Sequence, residues 1–377
     1  MPKSPARVMR YHSEKSGAPA FGLVIEERDG VPRAVLNLTA CVPEFGDQFS
    51  AFVKADGFST AKSLWRECED GLTDIELRSH LENVRPEHIL PPVDVPIDAI
   101  RDHSRFVVSI GLNFRAHREE TGRTRDLMMV KPVEPTGAYA PLTLGAEAQL
   151  VDHEAELGFA LLSDIDLANV PSIDRLEERA AYFAVNDLTD RAPIILDEIN
   201  GYTAGKSDAG FLPIGPWMIH GAALPIFSQP APVAVSCRVA QRGAKAVERQ
   251  RDTSDNLIRN PVEILRLLGE QLANDPTRAA ADRQGGLHPY ALRVGDRWIL
   301  PAGSLVLTGT PGGTCIRPPS TLRRLGLLLR GGFSMVRARQ RFIADCVAAK
   351  SRLGYLQSGD EVWTSVEHLG TQHWTVQ

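Results

Sequence analysis

His153-Glu154-Ala155-Glu156-Leu157 lies inside the run AQLVDHEAELGFALL, residues 148–162, and its reading decides the architecture. Apolar and other residues alternate there with period two, the signature of a strand. On a strand, residues i and i+2 share a face, so Glu154 and Glu156 project side by side. Two parallel carboxylates repel and need protons or a cation to coexist. A hard divalent ion held by oxygen atoms answers that need, though Glu pairs on exposed strands also occur with no ion.

Other strand-like runs surround this one. FVVSIGLN (106–113), PWMIHG (216–221), PVAVSCRVA (232–240) and SLVLTGT (304–310) are short, apolar and bounded by Gly or Pro. FGLVIEE and RAVLNLTA flank Asp29-Gly30, which predicts a hairpin. Residues 61–81 carry helical spacing through Leu64, Trp65, Leu72, Ile75 and Leu77, and 114–125 are polar with helical spacing. Residues 174–184 are a helix candidate with Asp174 as N-cap and Glu177 three residues on. Pro261 opens a predicted helix over 261–273. Short strands with few long helices predict an α+β chain that is mostly β. The Pro-rich ILPPVDVPI (89–97) predicts a boundary between a small β-rich unit, 1–95, and a larger one, 96–377. Residues 1–20 are polar and predict a frayed end.

The 377 residues suit two to three folding units, and 42 Lys and Arg against 47 Asp and Glu give a net charge of −5. Nucleic-acid binding is not expected, because phosphate neutralisation needs excess basic charge. The chain shows no apolar run of membrane-spanning length and no signal-peptide pattern at its start, so membrane attachment is not expected either. Five scattered cysteines without CxxC spacing argue for reduced thiols and a cytoplasmic location.

Other candidate chemistry is dispersed. Asp187 ends an apolar run and, as a third carboxylate beside Glu154 and Glu156, would leave positions for water and substrate around Mg²⁺; alone it reads as a turn residue. His117 and Glu120 are i, i+3 neighbours on one helical face, an arrangement suited to a general base and equally to a charged surface helix. Lys131 follows the apolar LMMV. Lys206 lies in Gly205-Lys206-Ser207, which is no phosphate loop, because Asn200 stands where the loop needs glycine. Gly309 and Thr310, in TGTPGGT after a strand, let backbone approach a ligand closely, and serve a plain tight turn equally well. Around Gly331-Gly332 the chain is basic and amphipathic from Arg317 to Arg352, opposed only by Asp345. That reads as a helical insertion at about 315–355: a solvated basic face, or a lid, partner surface or membrane-surface contact. There is no G-x-S-x-G elbow and no G-x-G-x-x-G after a strand, so serine hydrolases and Rossmann dehydrogenases gain no support.

In order, GLNFRAHREE, MMVKP, DHEAEL, NDLTDR, AGKSDAGFLPIGPW, LTGTPGG and GDEV resemble the fumarylacetoacetate hydrolase family over residues 91–377. The resemblance implies a mixed β-roll body with a small N-terminal domain, a homodimer, and a bound Mg²⁺ or Mn²⁺, with Ca²⁺ as a further option. It implies that Glu154, Glu156 and Asp187 hold the metal and that His117 with Glu120 activates water. It implies that Lys206, Arg191 and Lys131 hold substrate carboxylate and oxo groups, with Lys206 also steadying the leaving enolate and Thr310 reaching a carboxylate beside Gly309. The substrate is then a small 2-oxo or 1,3-diketo acid, cleaved hydrolytically at a C–C bond. A lyase of the same architecture, decarboxylating or hydrating a 2-oxo acid, and a non-catalytic binding paralogue are the alternatives.

The chain departs from the family pattern in places. Asn113 stands where fumarylacetoacetate-cleaving members carry a further acidic ligand, which points to the acylpyruvate-cleaving branch. Pro193-Ile194-Ile195 replaces the Gln that often follows NDxxxR. The basic stretch and residues 274–297 are longer than the family's usual turns, and both border the expected site.

Overall fold

The computed structural model describes residues 4–69, 73–198, 200–229 and 231–377. Its main feature is a twelve-stranded mixed sheet. Across it run Leu81–Asn83, Val31–Asn37, Pro19–Arg28, Val8–His12, Pro213–His220, Ala180–Asn186, Ala155–Leu161, Leu305–Leu307, Val107–Gly111 and Leu127–Val130, with two short strands off this path. A four-stranded sheet of Val247–Thr253, Ala234–Ala240, Glu361–Val366 and Gly370–Thr375 packs on its centre. The fold is α+β, as the strand spacing predicts.

Period-two sorting explains the core. In the central strands, Leu157, Phe159, Tyr182 and Ala184 face the smaller sheet, while Ala160, Ala181, Phe183 and Val185 face the N-terminal helices around Phe45, Phe49 and Phe52. Every residue of Ala155–Leu161 and Ala180–Asn186 is buried. This overturns the expected helix over 174–184. The helix is only Ile173–Glu177, begun after Ser172 rather than Asp174, and AAYFAVN that follows is a strand. A strand covered on both faces loses its alternation and reads as a continuous apolar run, which periodicity alone cannot separate from a buried helix.

The other local expectations fare unevenly. The Asp29-Gly30 hairpin forms, both residues having positive φ (56° and 77°) as a type I′ turn requires. Residues 61–81 are two helices, Gly57–Glu69 and Ile75–Ser79, and Leu81 already begins a strand; Leu72 lies outside the described residues. The frayed N-terminus is corrected as well. Val8–His12 is an inner strand between Pro19–Arg28 and Pro213–His220, with Val8, Met9 and Tyr11 buried. Five residues are too few to stand out in a polar stretch, and one of their two flanking partners, Pro213–His220, comes from far along the chain. Pro261–Asn274 is helical, with a capping box between Asn260 and Glu263.

The helix Arg115–Thr121 leaves the end of Val107–Gly111 and carries His117. Asp126 holds its base. Arg118 Nη2 donates to Asp126 Oδ1 at 2.5 Å, and Arg259 donates to Oδ2 through Nε (3.0 Å) and Nη2 (2.6 Å). Burial pushes the Asp126 carboxyl up, but Arg259 and Arg118 outweigh it and hold it below its ordinary value. A depressed carboxyl contributes stability that is present above its unfolded pKa and is lost as pH falls through the folded one. Asp126→Asn is therefore expected to cost about 2 kcal/mol at pH 7, in keeping with lost charge-assisted hydrogen bonds. The difference from wild type should shrink below about pH 4, where the unfolded carboxyl also protonates. Urea unfolding between pH 3 and 7 checks this; an equal deficit at both ends would refute it.

Candidate active site

Strand register assembles the acidic cluster. Ala155 pairs with Asn186, so the residues next to them, Glu154 and Asp187, meet at the same end of two antiparallel strands. Two bonds lock this end: the Glu154 N–H donates to Asn186 Oδ1 (2.9 Å), and the Asp187 N–H donates to the Glu154 carbonyl (2.8 Å). Glu156 lies further along the strand and accepts the Gly309 N–H at 2.8 Å. Carboxylate oxygens of Glu154, Glu156 and Asp187 lie within 4.8 Å of one another, and all three residues are buried.

Three buried cations surround them. Lys206 Nζ stands 2.7 Å from Glu154 Oε2, 2.6 Å from Asp187 Oδ2 and 2.8 Å from Thr189 Oγ1. An ammonium has three protons, so these contacts engage them all. Lys131 Nζ is 2.8 Å from Asp187 Oδ1 and donates to the Leu188 carbonyl at 2.9 Å. Arg191 Nη2 lies 2.6 Å from Glu154 Oε1, and its Nε donates to Asp152 Oδ2 at 2.8 Å. Ser109 Oγ donates to Asp187 Oδ2 at 2.9 Å.

Four carboxylates (Asp152, Glu154, Glu156, Asp187) thus meet three cations (Lys131, Lys206, Arg191). Glu154 and Asp187 each touch two of these cations, and Glu156 touches none of them. The titration behaviour follows this imbalance. Burial pushes Glu154 up, but Arg191 and Lys206 outweigh it and bring its carboxyl to about 2. Glu156 is driven well above its ordinary value, by burial first and then by the charges of Asp187 and Glu154. Burial lowers Lys131 to about 8 despite Asp187. Lys206 is raised, because Asp187, Glu154 and Glu156 overcome its desolvation.

His117 is buried and lines the same cavity as Glu154, Glu156 and Lys206. Its Nδ1 is 3.7 Å from Glu120 Oε2, beyond hydrogen-bond range, and has no other partner among the described residues. Glu120 accepts the Gly313 N–H on both oxygens at 3.0 Å and has Arg317 Nη2 at 3.4 Å. Burial raises its carboxyl, while His117, the Gly313 N–H and Arg317 together bring it below its ordinary value.

The structure places the remaining sequence candidates more specifically than their motifs could. Gly309 faces Glu156 with its N–H; at φ 97° an added Cβ would sit 2.8 Å from Asn113 Cβ, so this turn needs glycine. Thr310 lines the cavity, donates to the Ala155 carbonyl (2.9 Å) and accepts from Gln250 Nε2 (2.8 Å). Lys131 has no exposed surface and sits behind Asp187, while Arg191 lies on the cavity wall with its guanidinium turned to Asp152 and Glu154. Asn113 is wholly buried, donating to the Thr308 and Arg259 carbonyls and accepting the Arg259 N–H. Gly205-Lys206 ends the helix Gly201–Lys206, and the PIGPW that follows is strand, consistent with rejecting a phosphate loop.

Several residues escaped the sequence reading. Asp152, Ser109, Thr189 and Gln250 all brace the cluster; Asp152 and Thr189 lie within DHEAEL and NDLTDR but were given no role there, while Ser109 and Gln250 belong to no motif. The insertion borders the site, as its place in the chain predicts. Its helices Thr321–Arg330 and Met335–Ala348 form the far wall of a cavity of about 680 Å³, whose floor is the carboxylate cluster.

Residues 106–377 match the family model described as Fumarylacetoacetate (FAA) hydrolase C-terminal. Among solved structures, a fumarylacetoacetate hydrolase from the psychrophile Exiguobacterium antarcticum is similar at 21% identity over 99% of each chain, with a TM-score of 0.60. A 2-hydroxyhepta-2,4-diene-1,7-dioate isomerase from Mycobacterium marinum is similar at 18% identity over 98% of each chain, with a TM-score of 0.54. A 5-carboxymethyl-2-hydroxymuconate delta-isomerase from Mycobacterium smegmatis gives 17% identity over 98% of each chain, with a TM-score of 0.54. A search of the curated proteins returned no match. No helix among the described residues is long and apolar enough to cross a membrane.

Proposed function

Because the chain belongs to the fumarylacetoacetate hydrolase family, we propose that it is a divalent-metal-dependent hydrolase cleaving a C–C bond in an acylpyruvate or related 2-oxo or 1,3-diketo acid. The observation that carries this reading is the convergence of three buried carboxylates, one of them without a cation, two of which (Glu154 and Glu156) line the cavity that also holds His117.

The residues fit a hard cation. The donors are oxygens, the cluster has one carboxylate more than its cations, and a divalent ion would relieve the repulsion that burial imposes on Glu156. Glu154, Glu156 and Asp187 would hold Mg²⁺ or Mn²⁺, and Ca²⁺ is compatible with the same donors. When bound, the ion supplies Lewis-acid polarisation of the substrate's carbonyl oxygens.

The protein's own groups supply the rest. His117 takes the proton of an attacking water, and Glu120, itself anchored by the Gly313 N–H, favours the imidazolium that results. Lys206 acts on the developing enolate through its charge, since its protons are engaged by Glu154, Asp187 and Thr189. Arg191 and Lys131 set the positions of Glu154 and Asp187. Gly309 orients Glu156, and Thr310, its proton given to the Ala155 carbonyl, braces the strand at the cavity wall. We place this chemistry in a cytoplasmic homodimer.

A panel of acylpyruvates and 2-oxo acids, assayed with Mg²⁺, Mn²⁺ or chelator and read by product mass, tests the reading. Two acids indicate hydrolysis, carbon dioxide a decarboxylase, and a hydroxy-oxo acid a hydratase. His117→Asn should lower kcat by about 10²–10⁴ while leaving divalent-ion affinity unchanged. Glu154→Gln with undiminished metal affinity and turnover would exclude Glu154 as a ligand, and no turnover of any panel member with any metal would exclude the proposal in favour of a binding protein.

A further inference from the structure

The inserted helices are anchored to the body rather than solvated around their circumference. Leu327, Ala338, Phe342, Ile343 and Cys346 form an apolar cluster with Leu150, Ala192, Cys315 and Tyr355. Arg339 donates to the Leu196 carbonyl at 2.8 Å, and both Arg339 (3.4 Å) and Arg123 (3.5 Å) reach Glu198. The helix pair therefore has a defined inner side. There Leu325, Leu328, Met335 and Phe342 face the cavity together with Ile194 and Ile195.

One cavity thus has two chemistries, a charged floor and apolar outer walls. Its volume of about 680 Å³ suits a drug-sized ligand. A head group of a few carbons would leave the walls built by the insertion in contact with water. Of the guanidinium groups along the walls, Arg123 and Arg339 are already paired with Glu198 and Arg317 with Glu120, while Arg324 gives its Nε to the Pro319 carbonyl. Resting on the functional reading above, we propose that the substrate is a 2-oxo or 1,3-diketo acid with an extended apolar tail. The oxo-acid head lies at the carboxylate cluster and the tail lies beneath the helices Thr321–Arg330 and Met335–Ala348.

Calorimetric titration of the full chain in Mg²⁺ tests this without turnover, using 2-oxobutanoate, 2-oxohexanoate, 2-oxooctanoate and the plain carboxylates of the same lengths. Burial of each methylene in an apolar site tightens Kd by roughly fourfold. The octanoate homologue should therefore bind on the order of a hundredfold tighter than the butanoate. Leu328→Trp, which fills the tail region, should cut that ratio to about tenfold or less, by the same scale. Leu329→Trp, on the exposed side of the same helix, should leave the ratio as it is. Leu325→Trp, at a position already half-exposed, gives the same reading as Leu328→Trp if the latter folds poorly.

A flat length series, or tighter binding of an α,ω-dicarboxylate than of its monocarboxylate, overturns the tail assignment. The head assignment fails separately: 2-oxo acids would then bind no better than plain carboxylates and show no Mg²⁺ dependence, while the length series could still be steep.

Discussion

Lys206→Met is expected to destabilise the metal-free protein by about 3–5 kcal/mol at pH 7, the range found when one member of a buried ion pair is removed. The substitution keeps an unbranched apolar stem of nearly the same reach and removes the ammonium with its charge. Glu154 and Asp187 lose one of their two cations, at contacts of 2.7 and 2.6 Å, in a site where Lys206 is 2% exposed. Arg191 and Lys131 remain, which is why the loss stays short of unfolding the site altogether. The pH dependence has a definite sign. Glu154 has its carboxyl at about 2 against an ordinary value of 4.5, so its ion pairs contribute fully above 4.5 and fade as pH falls toward 2. The gap between variant and wild type should therefore be widest near neutrality and narrow steadily between those limits. Urea unfolding at pH 7, 5 and 3 measures it, and a variant as stable as wild type at pH 7 would show that Lys206 does not hold this cluster together. Turnover should fall by about two to three orders of magnitude, the scale for losing one preorganised electrostatic group.

Glu156→Gln should do the opposite to stability. Glu156 is 1% exposed, none of the three cluster cations touches it, and its carboxyl is driven far up by burial and by its neighbours Asp187 and Glu154. For an acid whose folded pKa is raised, the folded state is penalised as pH climbs from the unfolded value toward the folded one. Each pH unit in that interval is worth about 1.4 kcal/mol. Glutamine keeps the shape, still accepts the Gly309 N–H, and carries no charge to penalise. The metal-free variant should melt higher than wild type at pH 8 and close to it at pH 5. A gain of 1 kcal/mol corresponds to a few degrees in Tm for a chain of this size. In the same experiment Mn²⁺ should raise the Tm of wild type and leave that of the variant unmoved, because binding to the native state stabilises by mass action. If the variant melts lower at pH 8, or still responds to Mn²⁺, then Glu156 is a structural side chain and the carboxylate set must be redrawn.

The two substitutions probe one arrangement from opposite sides. Cations hold Glu154 and Asp187 ionised in the resting protein, and the third carboxylate carries the strain that a divalent ion would relieve. A surface group of acidic residues would show neither effect, because water would screen each charge.

Much of this was legible in the chain before any coordinates. The alternation through residues 148–162 put Glu154 and Glu156 two apart in a strand setting, Asp29-Gly30 marked a hairpin, and Pro261 marked a helix start. These depend on spacings of two to four residues, which local geometry dictates. Helix and strand were confused where burial is two-sided, as at AAYFAVN, because period two disappears when both faces are apolar. Val8–His12 was missed because it is short and the strand that makes it internal, Pro213–His220, lies far along the chain. Which cation meets which carboxylate was beyond the sequence: it rests on the pairing of Ala155 with Asn186 and on the helix that ends at Lys206. The same holds for Arg191 and Lys131 turning to Glu154 and Asp187, and for Gly309 pointing its N–H at Glu156. Local sequence determined the residue types and the pieces that carry them; tertiary structure decided their partners, because a buried charge takes whichever opposite charge the packing brings within about 3 Å.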